Sequence, residues 1–325
     1  MHIVISGAAG FVGRALVARL LRDHAAGTRP VSLLTLLDIT FPEAAVDAKV
    51  RQVEGSIADA AVVARAFEQH VDLLVHLASI PGGTAEQNYT LARDVNLHGT
   101  LHLLEACKAQ VERGGPVPRV VFASTIAVFG SPMPAVVDDD TPMRPAMSYG
   151  THKLMGEIAV ADFTRRGWCN GLSLRLPGVL ARPPARTGQL SAFLSDLMRD
   201  PAAGRDVCCP MAPGATTWAA STPNIVDNLL HAATLDTTSL PVHRALTLPA
   251  LRFSMAELVD ALVEVHGPQV RAHVSFAPEP RIEALFGCFP PLRTPAADAA
   301  GFLHDGDLAT LARRSIEPLQ QGQSS

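Results

Sequence analysis

The chain opens on a short apolar run, "HIVIS", which passes through "GAAGFVG" into the helical stretch "RALVARLLRDH". Gly7, Gly10 and Gly13 punctuate that turn. Glycine allows a tight reversal and lets the backbone come close to a phosphate group, and the helix that follows presents free N–H groups and the positive end of its dipole. Gly7, Gly10, Phe11, Val12 and Gly13 are therefore the expected contacts to a pyrophosphate. The alternation then continues. "VSLLTLLD", "KVRQVEG", "VDLLVHLAS", "RVVFAST" and "GLSLRLPGVL" read as strands, with helical patterns at "DAAVVARAFEQ", "LARDVNLHGTLHLLEACKAQV" and "YGTHKLMGEIAVADFTRR" between them. Strands in near-continuous Val/Ile/Leu runs separated by helices predict an α/β fold, a Rossmann-type doubly wound parallel sheet covered on both faces.

After Leu176 the character changes. Sixteen of the 25 prolines lie from Pro177 onward, so a smaller, less regular mixed α/β substrate region is expected there. The expected division is a dinucleotide-binding Rossmann domain over 1–176, a later segment near 221–236 returning to it, and a mainly substrate-binding region over 177–325. "PNIVDNLLHAATL" and "MAELVDALVEVHG" read as helices within the second region. A net charge of −4 without a basic run argues against nucleic-acid and anionic-membrane partners. No apolar run reaches the roughly 20 residues that span a bilayer. Five cysteines without C-x-x-C spacing read as reduced thiols, and no leader pattern precedes the first strand, so a cytoplasmic protein is expected. The 12 histidines show no metal-ligand spacing, so no metal is expected.

Asp38 ends the second strand. A carboxylate there accepts both ribose hydroxyls of NAD and repels the 2′-phosphate of NADP, and "ITFP" after it holds no Arg to rescue that phosphate. Tyr149 and Lys153 are four apart in "SYGTHK", one turn apart on a helix. Upstream, "FASTIAVFG" leaves a strand and supplies the Ser124 and Thr125 hydroxyls. An ammonium and an oxidised nicotinamide near a phenol favour the phenolate. It can then take the proton of an alcohol whose carbon gives up hydride, while a neighbouring hydroxyl steadies the oxyanion.

Together, G-x-x-G-x-x-G, Y-x-x-x-K and the upstream hydroxyl strand resemble the short-chain dehydrogenase/reductase superfamily. "STIAVFG" and the chain length resemble its extended, nucleotide-sugar epimerase/dehydratase-like branch. The resemblance covers about the first 230 residues in order and context. It implies Tyr149 as general base, Lys153 on the cofactor ribose, and Thr125 as the orienting hydroxyl. It further implies cofactor contacts at Ser56 and Ile57, at Leu77, Ala78 and Asn96, and at Pro177. Ser124 either contacts the cofactor or supports the loop. Asn96 reads alternatively as a helix-surface amide.

Three departures from the branch bear on substrate. Ile126 and Ala127 follow Thr125 where 4,6-dehydratases carry an acidic pair. Gly178 stands where sugar-nucleotide enzymes carry an Asn, and "TTWAASTPN" lacks their phosphate-side Arg. A small polar substrate fits better, met by Ser79 and Thr84 on "HLASIPGGTAE". Arg182, with Arg186 nearby, offers a fork for a carboxylate, or is a structural or solvated Arg. "HLASIPGGTAEQNYTLARDVNLHGT", "SYGTHKLMGE" and "LRLPGVLARP" resemble the group that oxidises the C2 hydroxyl of D-erythronate with NAD, which implies that reaction here. The alternative is a nucleotide-sugar 4-epimerase. Apolar surface near 88–112 and 149–166 and the family's habit of pairing these helices imply a homodimer.

Overall fold

The computed structural model describes residues 1–180, 192–238 and 240–321. The chain divides into two compact units. One comprises Met1–Val128, Met147–Arg175 and Leu229–Leu246; the other comprises Phe129–Ala146, Leu176–Asn228 and Thr247–Ser325.

The first unit is built on strands β1 (His2–Ser6), β2 (Leu33–Asp38), β3 (Val50–Glu54), β4 (Leu73–His76), β5 (Arg119–Thr125) and β6 (Asn170–Leu176), with the short edge strand Ala245–Thr247. From that edge the order is Ala245–Thr247, β6, β5, β4, β1, β2, β3. β1 pairs in parallel with both β2 and β4, and the pairs β2–β3 and β4–β5 are parallel as well. The chain thus winds outward from β1 to β3, then crosses to β4 and winds the other way. Where the winding reverses, connections leave β1 and β4 in opposite directions and open a crevice at the carboxyl ends.

Helices α1 (Phe11–Ala25), α2 (Ala60–Ala66), α3 (Gly82–Gln87), α4 (Tyr89–Arg93), α5 (Thr100–Glu112) and α6 (Ser148–Arg165) connect the strands. β1 and β5 are buried along their whole length, as strands covered on both faces must be. On one face Val4, Leu74 and Phe122 pack against Val63, Leu104 and Val160. The long helix expected around 91–111 is interrupted: α4 runs into a π-helical turn, Asp94–Gly99, before α5 begins. The wider turn admits one extra residue. Asn96 lies in it and is buried, so it is not a surface amide.

In the second unit the strands Leu251–Ser254, Thr216–Ser221 and Gly178–Leu180 form one small sheet, and Val274–Phe276 pairs with Val207–Cys209. Helix Met255–His266 is fixed by a capping box in which Ser254 and Glu257 satisfy each other's backbone N–H. Trp218 is fully buried and donates its indole N–H to Pro290 O at 2.7 Å, a structural role. Cys208 is exposed and Cys209 buried, as strand alternation requires, and all five cysteines are free thiols. The segment that rejoins the first unit is Leu229–Leu246 rather than 221–236, because it leads into the edge strand, while residues 129–146 leave that unit. Among the described residues no helix is long and apolar enough to cross a membrane.

Candidate active site

The crevice begins at the glycine turn. Gly7 holds φ at +75°, and a Cβ there would lie 2.6 Å from the Ala78 nitrogen in the chain leaving β4. A Cβ on Gly13 would lie 2.1 Å from Gly7 O. The first glycine therefore lets two loops touch, and the third lets α1 start directly against the turn. Gly10 caps α1 without a side-chain hydrogen bond to its first amides, so Phe11 and Val12 begin a helix whose N-terminus no cap side chain satisfies.

Asp38 closes the other side of the turn. Its Oδ2 accepts from the Ala9 N–H at 2.8 Å and its Oδ1 from the Ile39 N–H at 2.8 Å. Each carboxylate oxygen accepts two bonds, so capacity remains for ribose hydroxyls. Next along, Ser56 Oγ accepts from the Ala58 N–H at 3.1 Å. Ile57 is buried, with its side chain so close to Gly99 that a Cβ there would meet it at 2.5 Å.

After β4, the Leu77 N–H donates to Ser6 O at 3.0 Å. Asn96 then grips the loop: its Oδ1 accepts from the Ile80 N–H at 2.7 Å and its Nδ2 donates to Ile80 O at 3.0 Å. The π-helical turn thus serves to aim one amide at both backbone groups of Ile80. Ser79 precedes that clamp and Thr84 follows it in α3. Gly82, at the start of α3, lies beside Tyr149: a Cβ on it would stand 4.0 Å from Tyr149 Cβ. The loop carrying Ser79 and Thr84 is thereby held next to the first turn of α6.

Tyr149 is half-buried in that first turn. Lys153, one turn on, is buried; its Nζ donates to Ala123 O at 2.8 Å and lies 4.7 Å above the Phe122 ring. Burial drives its pKa down to about 7, against the opposing pull of the Glu157 carboxylate. Thr125, two residues past Ala123, is buried, and its Oγ1 accepts from the Ala127 N–H at 3.1 Å, which leaves the hydroxyl proton to donate elsewhere. Ser124 is different. Its hydroxyl donates to Glu157, whose carboxylate also holds Arg175 Nη2 at 2.8 Å; both members of that ion pair are buried.

His76 sits beneath the site. Thr100 Oγ1 donates to Asn96 O at 2.7 Å and so accepts from His76 Nε2–H at 2.9 Å, which leaves Nδ1 to accept from Ser6 Oγ at 2.6 Å. Burial, and secondarily the charge on Lys153, push this imidazole well below its usual range, so it stays neutral.

The structure therefore brings Gly7, Gly10, Gly13, Asp38, Ala78, Asn96, Thr125, Tyr149 and Lys153 to one end of the sheet. Pro177 is buried at the start of the second unit. Arg182 and Arg186 lie outside the described residues. Glu157, Arg175 and His76 escaped sequence reasoning. Two signals were available: an Arg inside the apolar strand "LSLRLPG", and a Glu four residues after Lys153.

Residues 3–213 match the NAD dependent epimerase/dehydratase family. The chain belongs to that family. It is 35% identical to D-erythronate dehydrogenase of Cupriavidus necator over 98% of both chains. It is 30% identical to the enzyme of that name from Haemophilus influenzae, over 98% of this chain and 99% of the other. Among solved structures, a nucleoside-diphosphate-sugar epimerase from Agrobacterium tumefaciens superposes with a TM-score of 0.90 at 32% identity, covering 99% of this chain and 95% of that one. The family member described here is an NAD-dependent oxidoreductase of the extended short-chain dehydrogenase/reductase type. NAD also suits the residues present: a glycine cradle that a Cβ would fill, a helix start with glycine at its N-cap, and a carboxylate at the end of β2.

Proposed function

We propose that this enzyme oxidises the C2 hydroxyl of a small sugar acid, D-erythronate, to 2-dehydro-D-erythronate, with Tyr149 as general base. The observation that carries the reading is the extent of the likeness: relatives named for that substrate match 98% of the chain, both units included. When bound, NAD supplies the acceptor for the hydride that leaves C2. Thr125 donates its free proton to the substrate oxygen and orients it. Tyr149 takes the proton of that hydroxyl, and Lys153 supports the phenolate and the cofactor ribose. Ser79 and Thr84, on the loop clamped by Asn96, meet the substrate hydroxyls, and Arg182 binds its carboxylate. Ile126 and Ala127 supply no acid or base at the position after Thr125 where 4,6-dehydratases carry an acidic pair. Ser56, Ile57, Leu77, Ala78 and Pro177 line the cofactor, whereas the Ser124 hydroxyl, already given to Glu157, favours support of the strand end over cofactor contact. The test is NAD reduction across four- to six-carbon aldonic acids.

The Agrobacterium tumefaciens structure favours a second reading, a nucleotide-sugar 4-epimerase. Such an enzyme would convert a sugar nucleotide with no net NADH.

Asp38 sets the preference for NAD in this reading. Asp38→Ser is expected to weaken NAD and to raise relative use of NADP by about tenfold or more, since it removes one charge facing the 2′-phosphate. The kcat/KM ratio for the two cofactors reads this directly.

The enzyme is proposed to be a cytoplasmic homodimer. Tyr89 and Leu91 on α4 and Met155 and Ile158 on α6 are exposed apolar residues, Ile158 at 64%. Two copies of α4 and α6 would cover them. Light scattering should report a dimer, and Ile158→Glu should report a monomer; a monomeric wild type would reject the assignment.

A further inference from the structure

The Glu157–Arg175 pair is the most deeply buried ion pair among the described residues, and its Glu lies two turns beyond the proposed base on α6. Glu157 lies one turn beyond Lys153 on α6 and so shares its face. Through Ser124 it also grips β5 between Ala123, whose carbonyl holds Lys153, and Thr125. We propose that Glu157, oriented by Arg175 and Ser124, is a positioning residue that keeps the shared proton on Lys153, so that Tyr149 is the group that gives one up.

The need for such a residue follows from the chemistry. A phenol and a buried amine one turn apart titrate as a pair, and the first proton lost can come from either. If it leaves Lys153, a neutral amine and a neutral phenol remain, and no base exists. A fixed negative charge beside the amine favours the other tautomer, ammonium with phenolate. Burial alone would strip Lys153, and Glu157 is the group that opposes it.

Other groups around α6 do not supply that charge. His76 on β4 is neutral. Glu86 on α3 accepts from the Ser148 N–H, and its influence falls on His152, together with that of His98. Asp94 in the π-helical turn is paired with Arg93 and His98, and Lys108 on α5 with Glu105 and Glu112. Arg175 on β6 is cationic and serves to fix Glu157.

This inference rests on Tyr149 as base, and its test separates the two. The chain has two tyrosines, so a Tyr89→Phe background leaves one phenol, whose ionisation can be followed by ultraviolet absorbance without substrate or NAD. In that background Glu157→Gln should move the Tyr149 midpoint up by about one pH unit, and Glu157→Asp should restore it. The double variant Glu157→Gln/Arg175→Met leaves no stranded guanidinium at Arg175 and should move it in the same direction; it carries the test if Glu157→Gln does not fold. A folded variant lacking the Glu157 charge with an unmoved midpoint overturns the proposal. Failure of the base assignment shows elsewhere, as normal turnover in Tyr149→Phe.

Discussion

Tyr149→Phe is expected to keep the fold and NAD binding while kcat falls by about a thousandfold, in the middle of the range for removal of a general base. The substitution deletes one oxygen from a half-buried side chain in the first turn of α6 and leaves the ring in place. The glycine cradle and Asp38 lie on β1, α1 and β2, so cofactor affinity should hold. Steady-state turnover beside calorimetric NAD binding separates the two. A variant with wild-type kcat would remove Tyr149 from the chemistry.

Lys153→Met should produce an opposite pair of effects: activity falls by at least about a hundredfold, while thermal stability rises. The ammonium is held with its pKa near 7 rather than the 10.5 of a free lysine. At ~1.36 kcal/mol per unit, such a displacement is a gross burial penalty on the order of 5 kcal/mol. Loss of the donor to Ala123 O returns part of it, about 1–3 kcal/mol, so a net gain of about 2–4 kcal/mol is expected. Met has nearly the shape of the lysine stem and fills the same space. The pH dependence has a definite sign. Between about 7 and 10.5 the folded Tyr149–Lys153 pair has given up one proton that the unfolded chain still holds, so wild-type stability rises with pH across that window. The advantage of Lys153→Met should therefore be largest below pH 7 and shrink toward pH 10. Melting curves at three pH values decide it, and a variant less stable than wild type at pH 6 contradicts the account.

Much of the first unit was legible in the sequence because its signals are local. The glycine turn, the strand-ending Asp38 and the four-residue spacing of Tyr149 and Lys153 each carry their geometry in adjacent residues. What escaped depends on contacts across the fold. Asn96 looked like one residue of a continuous helix. Its function needs the π-helical turn, which shows only in its bonds to Ile80, 16 residues earlier. Ser124 and Thr125 look interchangeable in "FAST", yet strand alternation sends one into the interior toward Glu157 and leaves the other at the crevice end. Glu157 and Arg175 are 18 residues apart and on different elements, and no periodicity links a helical Glu to a strand Arg. The return of Leu229–Leu246 to the first unit is set by the pairing of a three-residue edge strand, too short to announce itself.

The central claim is that this cradle, phenol and ammonium serve oxidation of a free sugar acid. The most direct test is NADH formation by the purified enzyme with NAD and D-erythronate, run beside other aldonic acids and UDP- and TDP-sugars. Rapid NADH formation on D-erythronate, abolished in Tyr149→Phe, is the predicted result. No NADH from any acid, with an epimerised sugar nucleotide in the mixture instead, would contradict it.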